Sequence, residues 1–270
     1  MSHCFFLDTG EHSAAYNMAC DELLLNKVKA DGDLVFFRVY GWSQPAFSLG
    51  QSQRLERELD IKKCRAAGYD IVRRPTGGRL VLHKRELAYT FVVEQANLAE
   101  RQKYSLLVGK IFVSVLQNLS VSANLVATGE PPRFAKSAPS LCFTHMATHE
   151  VMVNDKKIMG RAFREKGRYR LEQGFLLLQN DYRELPEFLP GSTLESYRQL
   201  QQEIGRKTTS LHEVLGKNIA FAALSNLLYA QAQRMILGPW TDDELTKDDE
   251  ECIQGLMAQK YANEGWLHKY

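Results

Sequence analysis

Hydrophobic and polar positions repeat at helical spacing in several parts of this chain. Apolar residues recur every three to four positions from Tyr104 to Leu119, which predicts a core helix. The segment from Ser13 to Lys29 has a broadly apolar face and predicts a second helix. A short third helix is predicted to begin after the N-cap Asp60 and to end at Gly68.

Short apolar runs bounded by glycine, proline and polar turns predict strands over the first two thirds of the chain. These runs are HCFFLD (3–8), LVFFRVY (34–40), AFSLG (46–50), DIVRR (70–74), RLVLH (79–83), ELAYTFVVE (86–94) and VSANLVA (121–127). The polar, proline-bearing segment 128–140 is predicted to be a mobile loop. An antiparallel meander follows, with turns at Asn154-Asp155 and around Gly167. Its strands are HEVMVN (149–154), KKIMGRAFRE (156–165) and RYRLEQGFLLL (168–178).

The pattern changes to helices after about residue 182. Capping-box patterns predict helix starts at Ser210-x-x-Glu213 and Thr241-x-x-Glu244, with another helix at 218–236 between them. Strands interrupted by helices without regular alternation predict an α+β fold with one mixed or antiparallel sheet. We expect a core domain at 1–185 and a helical C-terminal subdomain at 186–270 packed on it.

The composition is that of an ordinary globular protein. With 270 residues, 44% of them apolar and 24% charged, the chain can bury its own core without disulfides or a structural metal. No apolar run approaches the roughly 20 residues of a membrane span. The first residues, MSHCFFLDTG, lack the features of a secretory signal, and this predicts a cytoplasmic protein.

Five cysteines form an odd set with no C-x-x-C pair, so neither a disulfide framework nor a zinc site is indicated. Cys4, Cys20, Cys64 and Cys252 fall within predicted strands and helices, where a cysteine is usually a small buried apolar residue. Cys142 lies after the polar loop, at the entry to a strand. It is either a reactive thiol or another buried cysteine.

Charge is unevenly distributed, although the net charge is only +2. Residues 156–170 hold seven basic side chains and the single acid Glu165, whereas 241–251 are strongly acidic. The basic hairpin is either a solvated face or a surface that steers acidic partners.

The segment RRPTGGRLVLH (73–83) is the sharpest local signal. Gly77 and Gly78 permit positive φ and let backbone amides approach a ligand, so the turn could cradle an oxyanion with help from nearby arginines. It matches neither the P-loop nor the dinucleotide-binding spacing. A tight turn with surface arginines at 73, 74 and 79 is the alternative.

Several segments together resemble the lipoate–protein ligase and octanoyltransferase superfamily. They are NMACDELLL (17–25), RRPTGGRLVLHKRELAYTFVV (73–93), SLCF (140–143), KKIMG (156–160) and EQGFLLL (172–178), in that order. The resemblance covers nearly the whole chain and is closest to the cysteine-dependent octanoyltransferases, including the ending QKYANEGWLHK (259–269).

The resemblance implies an α+β core like that of biotin protein ligases, with a mixed sheet, flanking helices and a tunnel for a medium-length acyl chain. It implies that Cys142 takes an octanoyl group from acyl carrier protein as a thioester and passes it to a lysine of the glycine cleavage H protein or another lipoyl domain. It also implies that Lys157 contacts the acyl carbonyl. The implied substrate-binding residues are Arg73, Arg74, Thr76, Gly77, Gly78, His83, Gly160 and Arg161. Neither a metal nor another cofactor is expected, nor is nucleic acid or a membrane expected as a partner.

The chemistry of the residues agrees with those roles. A free cysteine has a pKa of about 8.5, and a nearby ammonium lowers it and favours the thiolate. Only one of Lys156 and Lys157 can point to the covered side of the sheet, because neighbouring strand residues face opposite sides. Transfer from a thioester to an amine runs downhill and needs no nucleotide.

Three positions differ from the family pattern. Arg161-Ala162-Phe163 stands where small residues and a glutamine are usual, Gln173 replaces a histidine, and Lys84 replaces an aspartate. These residues are expected to add bulk and positive charge around the acyl site. Two alternatives remain: an ATP-dependent lipoate–protein ligase, which does not need the cysteine, and a relative that binds acylated or lipoyl proteins without catalysis.

Overall fold

The structure is a computed structural model that describes residues 2–95, 97–126 and 150–270. Its helices are α1 (Ala14–Ala30), α2 (Leu55–Glu58), α3 (Ile61–Ala66), α4 (Leu98–Asn118), α5 (Leu194–Lys207), α6 (Leu211–Leu215), α7 (Phe221–Met235), α8 (Lys247–Leu256) and α9 (Glu264–Leu267). A 3₁₀ segment covers Asp181–Phe188 and a π-helical turn covers Met257–Tyr261. The predicted loop at 128–140 lies outside the described residues.

The strands are β1 (His3–His12), β2 (Leu34–Trp42), β3 (Ala46–Leu49), β4 (Asp70–Arg73), β5 (Val81–His83), β6 (Glu86–Glu94), β7 (Ala123–Val126), β8 (Glu150–Val153), β9 (Lys156–Lys157), β10 (Met159–Lys166), β11 (Tyr169–Leu177) and β12 (Trp240–Asp242). Six of them form the main sheet, in the order β10-β11-β6-β2-β1-β12. The β12, β1 and β2 strands pair in parallel, and the other neighbours are antiparallel. This confirms the α+β fold with a mixed sheet.

The prediction of one sheet is wrong, because two further sheets of three strands are present among the described residues, β4-β3-β5 and β7-β8-β9. The predicted strand 156–165 is divided at Ile158, so β9 pairs with β8 while β10 pairs with β11 in the main sheet. The turn at Asn154 and Asp155 is confirmed by their positive φ values of 49° and 59°.

Both faces of the main sheet are covered. The α4 helix buries Val108, Ile111 and Phe112 completely against one face, in a core shared with α7. The α1 helix packs between the other face and α8, so Cys20 and Leu24 are fully buried. Because α1 is enclosed by its neighbours, its apolar residues are spread widely around the helix.

Helix boundaries agree with the sequence in some places and not in others. Ser13 and Asp60 are N-caps as predicted, and Ser210 accepts a hydrogen bond from the backbone N–H of Glu213. The predicted helix start at Thr241 is wrong, because Thr241 lies in β12 beside β1. Thr246 is instead the N-cap of α8 and forms a reciprocal capping box with Asp249. The sequence thus contains two possible helix starts, and the first of them lies in a strand.

The C-terminal third packs on the earlier part of the chain. The β12 strand extends the main sheet, α8 contacts α1, and α9 contacts β4. The domain division at residue 185 stays a prediction. Within the described ranges, no helix is long and apolar enough to cross a membrane.

Candidate active site

A central cavity lies where α1, the main sheet and the β4-β3-β5 sheet meet. It encloses about 380 Å³, including its open mouth. Its lining residues are Met18, Tyr40, Trp42, Ser48, Arg74, Val81, His83, Arg161, Ala162, Gln173, Gly174 and Phe175. A mostly apolar cavity with a few polar groups at one end is typical of a small-ligand site.

The polar end of the cavity is a buried chain of hydrogen bonds. Ser48 Oγ lies 2.7 Å from His83 Nε2, and His83 Nδ1 lies 2.7 Å from Glu86 Oε1. Trp42 Nε1 donates to the same Glu86 oxygen at 2.9 Å. Arg74 donates to Ser48 Oγ at 2.9 Å, so we assign the hydroxyl proton to the bond with Nε2 and the ring proton to Nδ1.

The carboxylate at the end of these hydrogen bonds is that of Glu86, which is buried. Burial raises its pKa, and the hydrogen bonds from His83 and Trp42 oppose that effect. Its second oxygen, Oε2, has no hydrogen-bond partner among the described residues. The arrangement holds the His83 ring in one orientation with Nε2 facing the serine, as an orienting acid does beside a histidine base.

Arg74 supports the glycine-rich turn. It is only 4% exposed, and it donates to the carbonyls of Ser48, Gly77 and Arg79 at 2.7–2.8 Å. The alternative of surface arginines is therefore wrong. Gly78 has φ of +93°, so the turn does require a glycine at this position.

Arg73 is fully buried and lies beside the chain's C-terminus. It donates to the carbonyl of Leu267 and to that of Gln53, both at 2.6 Å. It does not line the central cavity. The structure thus gives the two neighbouring arginines different surroundings, because neighbouring residues at a strand end point to opposite sides.

Thr76 and Gln173 connect the turn to α1. The Thr76 hydroxyl donates to Gln173 Oε1 at 2.7 Å, and Gln173 Nε2 donates to Asp21 Oδ2 at 2.6 Å. Asp21 also forms an ion pair with Arg38 at 2.7 Å, and both side chains are fully buried. Gln173, which differs from the family pattern, therefore anchors the glycine-rich turn.

Arg161 lines the cavity, but its charge is matched. Its guanidinium contacts Glu172 at 2.7 Å, and Tyr89 donates to the same carboxylate at 2.9 Å. Burial alone would raise the pKa of Glu172, but Arg161 and Arg170 hold it below its ordinary value. The expected bulk is present at the cavity wall, whereas the added positive charge is paired.

Lys157 is 4% exposed, while Lys156 is half-buried, as strand alternation predicts. Lys157 Nζ contacts Glu150 Oε1 at 2.7 Å. It lies in β9, four residues before Arg161 of β10, and outside the lining of the central cavity. Gly160 lies against Phe175, where an added Cβ would be 2.4 Å from the ring.

Cys142, the predicted nucleophile, lies outside the described residues. Cys4, Cys20 and Cys64 are fully buried, as expected of structural cysteines. Burial raises the pKa of Cys20 and of Cys64 to about 12, so these two thiols are poor nucleophiles at neutral pH. Cys252 is exposed on α8.

Sequence analysis did not identify three residues of the site: Ser48, Glu86 and Asp21. The β3 strand pairs with β5, which brings Ser48 to the same face as His83. Such a pairing links residues 35 positions apart, so no local pattern reveals it. The H-x-x-E spacing of His83 and Glu86 was the one available signal. Lys84, the remaining departure, pairs with Glu184 at 2.9 Å.

No cluster of three or more metal-ligating side chains occurs in the part of the chain that the structure describes. The polar groups at the cavity instead suit a carbonyl compound, because they combine hydrogen-bond donors with a histidine held by a carboxylate.

Comparison with known proteins gives relatives over almost the whole chain. Octanoyltransferase LipM from Kyrpidia tusciae is 31% identical, with 97% of each chain covered. The enzymes of the same name from Macrococcus caseolyticus and Carboxydothermus hydrogenoformans are 30% and 28% identical, each with 98% of both chains covered.

Solved structures agree on the fold. A bipartite lipoate protein ligase from Thermoplasma acidophilum, determined with its E2 lipoyl domain, has a TM-score of 0.80 at 18% identity and covers 100% of this chain and 98% of its own. Lipoate-protein ligase A bound with ATP has a TM-score of 0.75 at 19% identity, with 99% of both chains covered. The family model of the lipoyl protein ligase A/B catalytic domain matches residues 13–233. The resemblance seen in the sequence is confirmed, and the chain belongs to the lipoyl protein ligase A/B catalytic domain family.

Proposed function

We propose that this protein transfers an octanoyl group from acyl carrier protein, through a thioester on Cys142, to a lysine of a lipoyl-accepting protein in lipoate biosynthesis. The chain is an acyltransferase, as its near-full-length curated relatives are. The observation that carries the proposal is the mostly apolar central cavity that ends on Ser48, His83 and Arg74.

The reaction has two halves. In the first, the Cys142 thiolate attacks the carbonyl carbon of the donor thioester, and the donor's sulfur leaves and takes up a proton. In the second, the acceptor lysine amine attacks the new thioester, the Cys142 sulfur leaves, and the nitrogen loses a proton. No nucleotide is consumed, and the kinetics should be ping-pong.

His83 is suited to accept the proton released in the second half. Glu86 holds its Nδ1, and Nε2 faces the cavity beside Ser48. Arg74 holds the glycine-rich turn in place. The amides of Gly77 and Gly78 would stabilise the carbonyl oxygen as it becomes negative, where losing one such donor typically costs about 3 kcal/mol of barrier.

The other residues of the site have supporting roles in this proposal. Arg161 forms the wall of the acyl cavity, and Gly160 leaves room for the Phe175 ring. Arg73 and Thr76 hold the glycine-rich turn from behind. Lys157 polarises the acyl carbonyl and favours the Cys142 thiolate, with Glu150 balancing its charge when no substrate is bound.

The proposed partners are acyl carrier protein as donor and the glycine cleavage H protein or another lipoyl domain as acceptor. No metal or other cofactor takes part. We also propose a cytoplasmic location, where cysteine thiols stay reduced.

The test is transfer of octanoate to a purified lipoyl domain. With octanoyl carrier protein and no nucleotide, we expect the lipoyl domain to gain one octanoyl group, and Cys142→Ser to abolish the gain. The exposed Cys252→Ser is the matched control and should retain transfer.

The other outcomes separate the alternatives. Attachment of free lipoate that depends on ATP and persists in Cys142→Ser would identify a ligase. Binding of the carrier or the lipoyl domain with no mass change under either condition would identify a non-catalytic relative. Either result would contradict the proposal.

A further inference from the structure

A second cavity, the basic groove, lies between α1, the β10–β11 hairpin and the C-terminal residues that follow α8. It encloses about 810 Å³, including its open mouth. Five cationic side chains line it: Lys29, Arg164, Lys166, Lys260 and Lys269. They come from three separate parts of the chain, so their convergence does not follow from one charged segment.

The basic groove is next to the central cavity. Pro75 lines the groove, whereas its neighbour Arg74 lines the central cavity. Thr76, on the other side of Pro75, bonds to Gln173 of the central cavity. The glycine-rich turn is therefore a wall shared by the two cavities.

The positive charge of the groove is only partly balanced. Among the described residues, Glu22 is the one carboxylate of the lining, and it already accepts from Lys260 and from the Tyr261 hydroxyl, each at 2.6 Å. Among the residues that the structure describes, Arg164 and Lys166 form no ion pair. A bound anion would therefore meet unmatched cations.

The cations are close enough to affect one another. Burial and, after it, the charges of Arg164, Lys166 and Lys260 lower the pKa of Lys29, although Glu22 acts in the opposite direction. Like charges held together without partners are unfavourable, and an anion placed between them would relieve the repulsion.

Part of the groove is also fixed in place. Lys260 and Lys269 lie over the Trp266 ring, with their Nζ atoms 4.3 and 4.8 Å from its centre. Contacts of this kind hold an ammonium near the aromatic face and reduce the entropy lost when it binds an anion.

We propose that the basic groove binds the phosphate of the pantetheine arm that carries the acyl donor. This inference rests on the proposed function, which places the donor's acyl chain in the central cavity. The arm then leaves across the glycine-rich turn, and its phosphate meets the cations on the far side of Pro75. Phosphate oxygens form strong charge-assisted hydrogen bonds with arginine and lysine, and the positive field also speeds encounter with an anionic donor.

Three octanoyl donors test this assignment: octanoyl-pantetheine, octanoyl-4′-phosphopantetheine and octanoyl carrier protein. The first two differ only in the phosphate. We expect kcat/KM to be about tenfold or more higher with the phosphate, since a charge-assisted hydrogen bond contributes roughly this much. In the double variant Arg164→Gln/Lys166→Gln, the ratio of kcat/KM with and without the phosphate should fall towards one.

The matched control removes two exposed charges elsewhere. Lys103→Gln/Lys110→Gln lies on α4, which does not line the groove, and it should keep the full advantage. Equal kcat/KM for the two small donors in the unchanged protein would overturn the assignment. An advantage that survives Arg164→Gln/Lys166→Gln would overturn it as well.

A binding measurement separates failure of the groove from failure of the proposed function. Free 4′-phosphopantetheine should quench the Trp266 fluorescence, and Trp266→Phe should remove that signal. This holds whether or not any donor supports transfer. If adenosine monophosphate gives the saturable quench and 4′-phosphopantetheine does not, the groove is a nucleotide site and the assignment is wrong.

Discussion

The bond between Thr76 and Gln173 should contribute measurably to stability. The Thr76 hydroxyl is fully buried and donates to Gln173 at 2.7 Å, and Gln173 in turn donates to Asp21 at 2.6 Å. We consider Thr76→Val, which removes the hydroxyl at nearly constant volume, and Gln173→Met, which removes both polar atoms of the amide.

The magnitudes follow from the contacts that each change removes. Thr76→Val loses one neutral hydrogen bond, for about 1 kcal/mol of unfolding free energy. Gln173→Met also removes a donor from the charged Asp21, which keeps Arg38 as a partner, so its cost should be about 3 kcal/mol. In the double variant the shared bond is lost only once, and its cost should be about 1 kcal/mol below the sum.

Urea unfolding of the four proteins gives these free energies, and equal m-values would show that the changes act on stability alone. The control is Thr209→Val, a buried threonine that bonds to Glu213 rather than to Gln173. The changes in unfolding free energy caused by Thr209→Val and Gln173→Met should add. Additivity of Thr76→Val with Gln173→Met to within about 0.3 kcal/mol would refute the claim that this bond anchors the turn.

Three further predictions follow from the same contacts. In the native protein at pH 8, iodoacetamide should modify Cys252 and leave Cys20 and Cys64 intact, since burial raises the pKa of both to about 12; peptide mapping that finds either one alkylated before unfolding would contradict this. Shortening the donor chain from octanoyl to hexanoyl should lower kcat/KM about 15-fold, because each buried methylene contributes about 0.8 kcal/mol; equal values for both chains would show that the cavity does not hold the chain. Burial raises the pKa of Asp249, but the hydrogen bonds from Lys27 and Thr246 and the charge of Lys27 together lower it below its ordinary value. Asp249→Asn should therefore be destabilising at pH 7, and the difference from the unchanged protein should shrink as the pH falls below about 4. A difference that urea unfolding finds constant between pH 7 and pH 3.5 would contradict the role of this carboxylate.

Local patterns in the sequence predicted the long elements well. The apolar spacing of α4 and the cap at Ser13 both have causes within a few residues along the chain, so they can be seen without the fold. The division of 156–165 at Ile158 has a different origin, because it depends on which neighbouring strands are available on each side. The predicted helix start at Thr241 was wrong for the same reason, because the pairing of Thr241 with Phe5 in β1 makes it part of a strand.

For the candidate site too, the sequence predicted local features but not contacts between distant parts of the chain. The glycine-rich turn was visible because Gly78 must adopt positive φ, which is a local requirement. The partners of that turn were hidden, since Gln173 reaches Thr76 across 97 positions and Ser48 reaches His83 across 35. The sequence predicted the bulk of Arg161 but not that Glu172 balances its charge.

The central claim is that catalysis passes through an octanoyl thioester on Cys142. Mixing the protein with octanoyl carrier protein in the absence of acceptor and nucleotide, quenching with acid and measuring the intact mass tests it directly. The account predicts the gain of one octanoyl group that neutral hydroxylamine removes, that maps to Cys142 and that is absent in Cys142→Ser. Octanoyl transfer to a lipoyl domain at an undiminished rate in Cys142→Ser, with no acylated enzyme at any time, would contradict it.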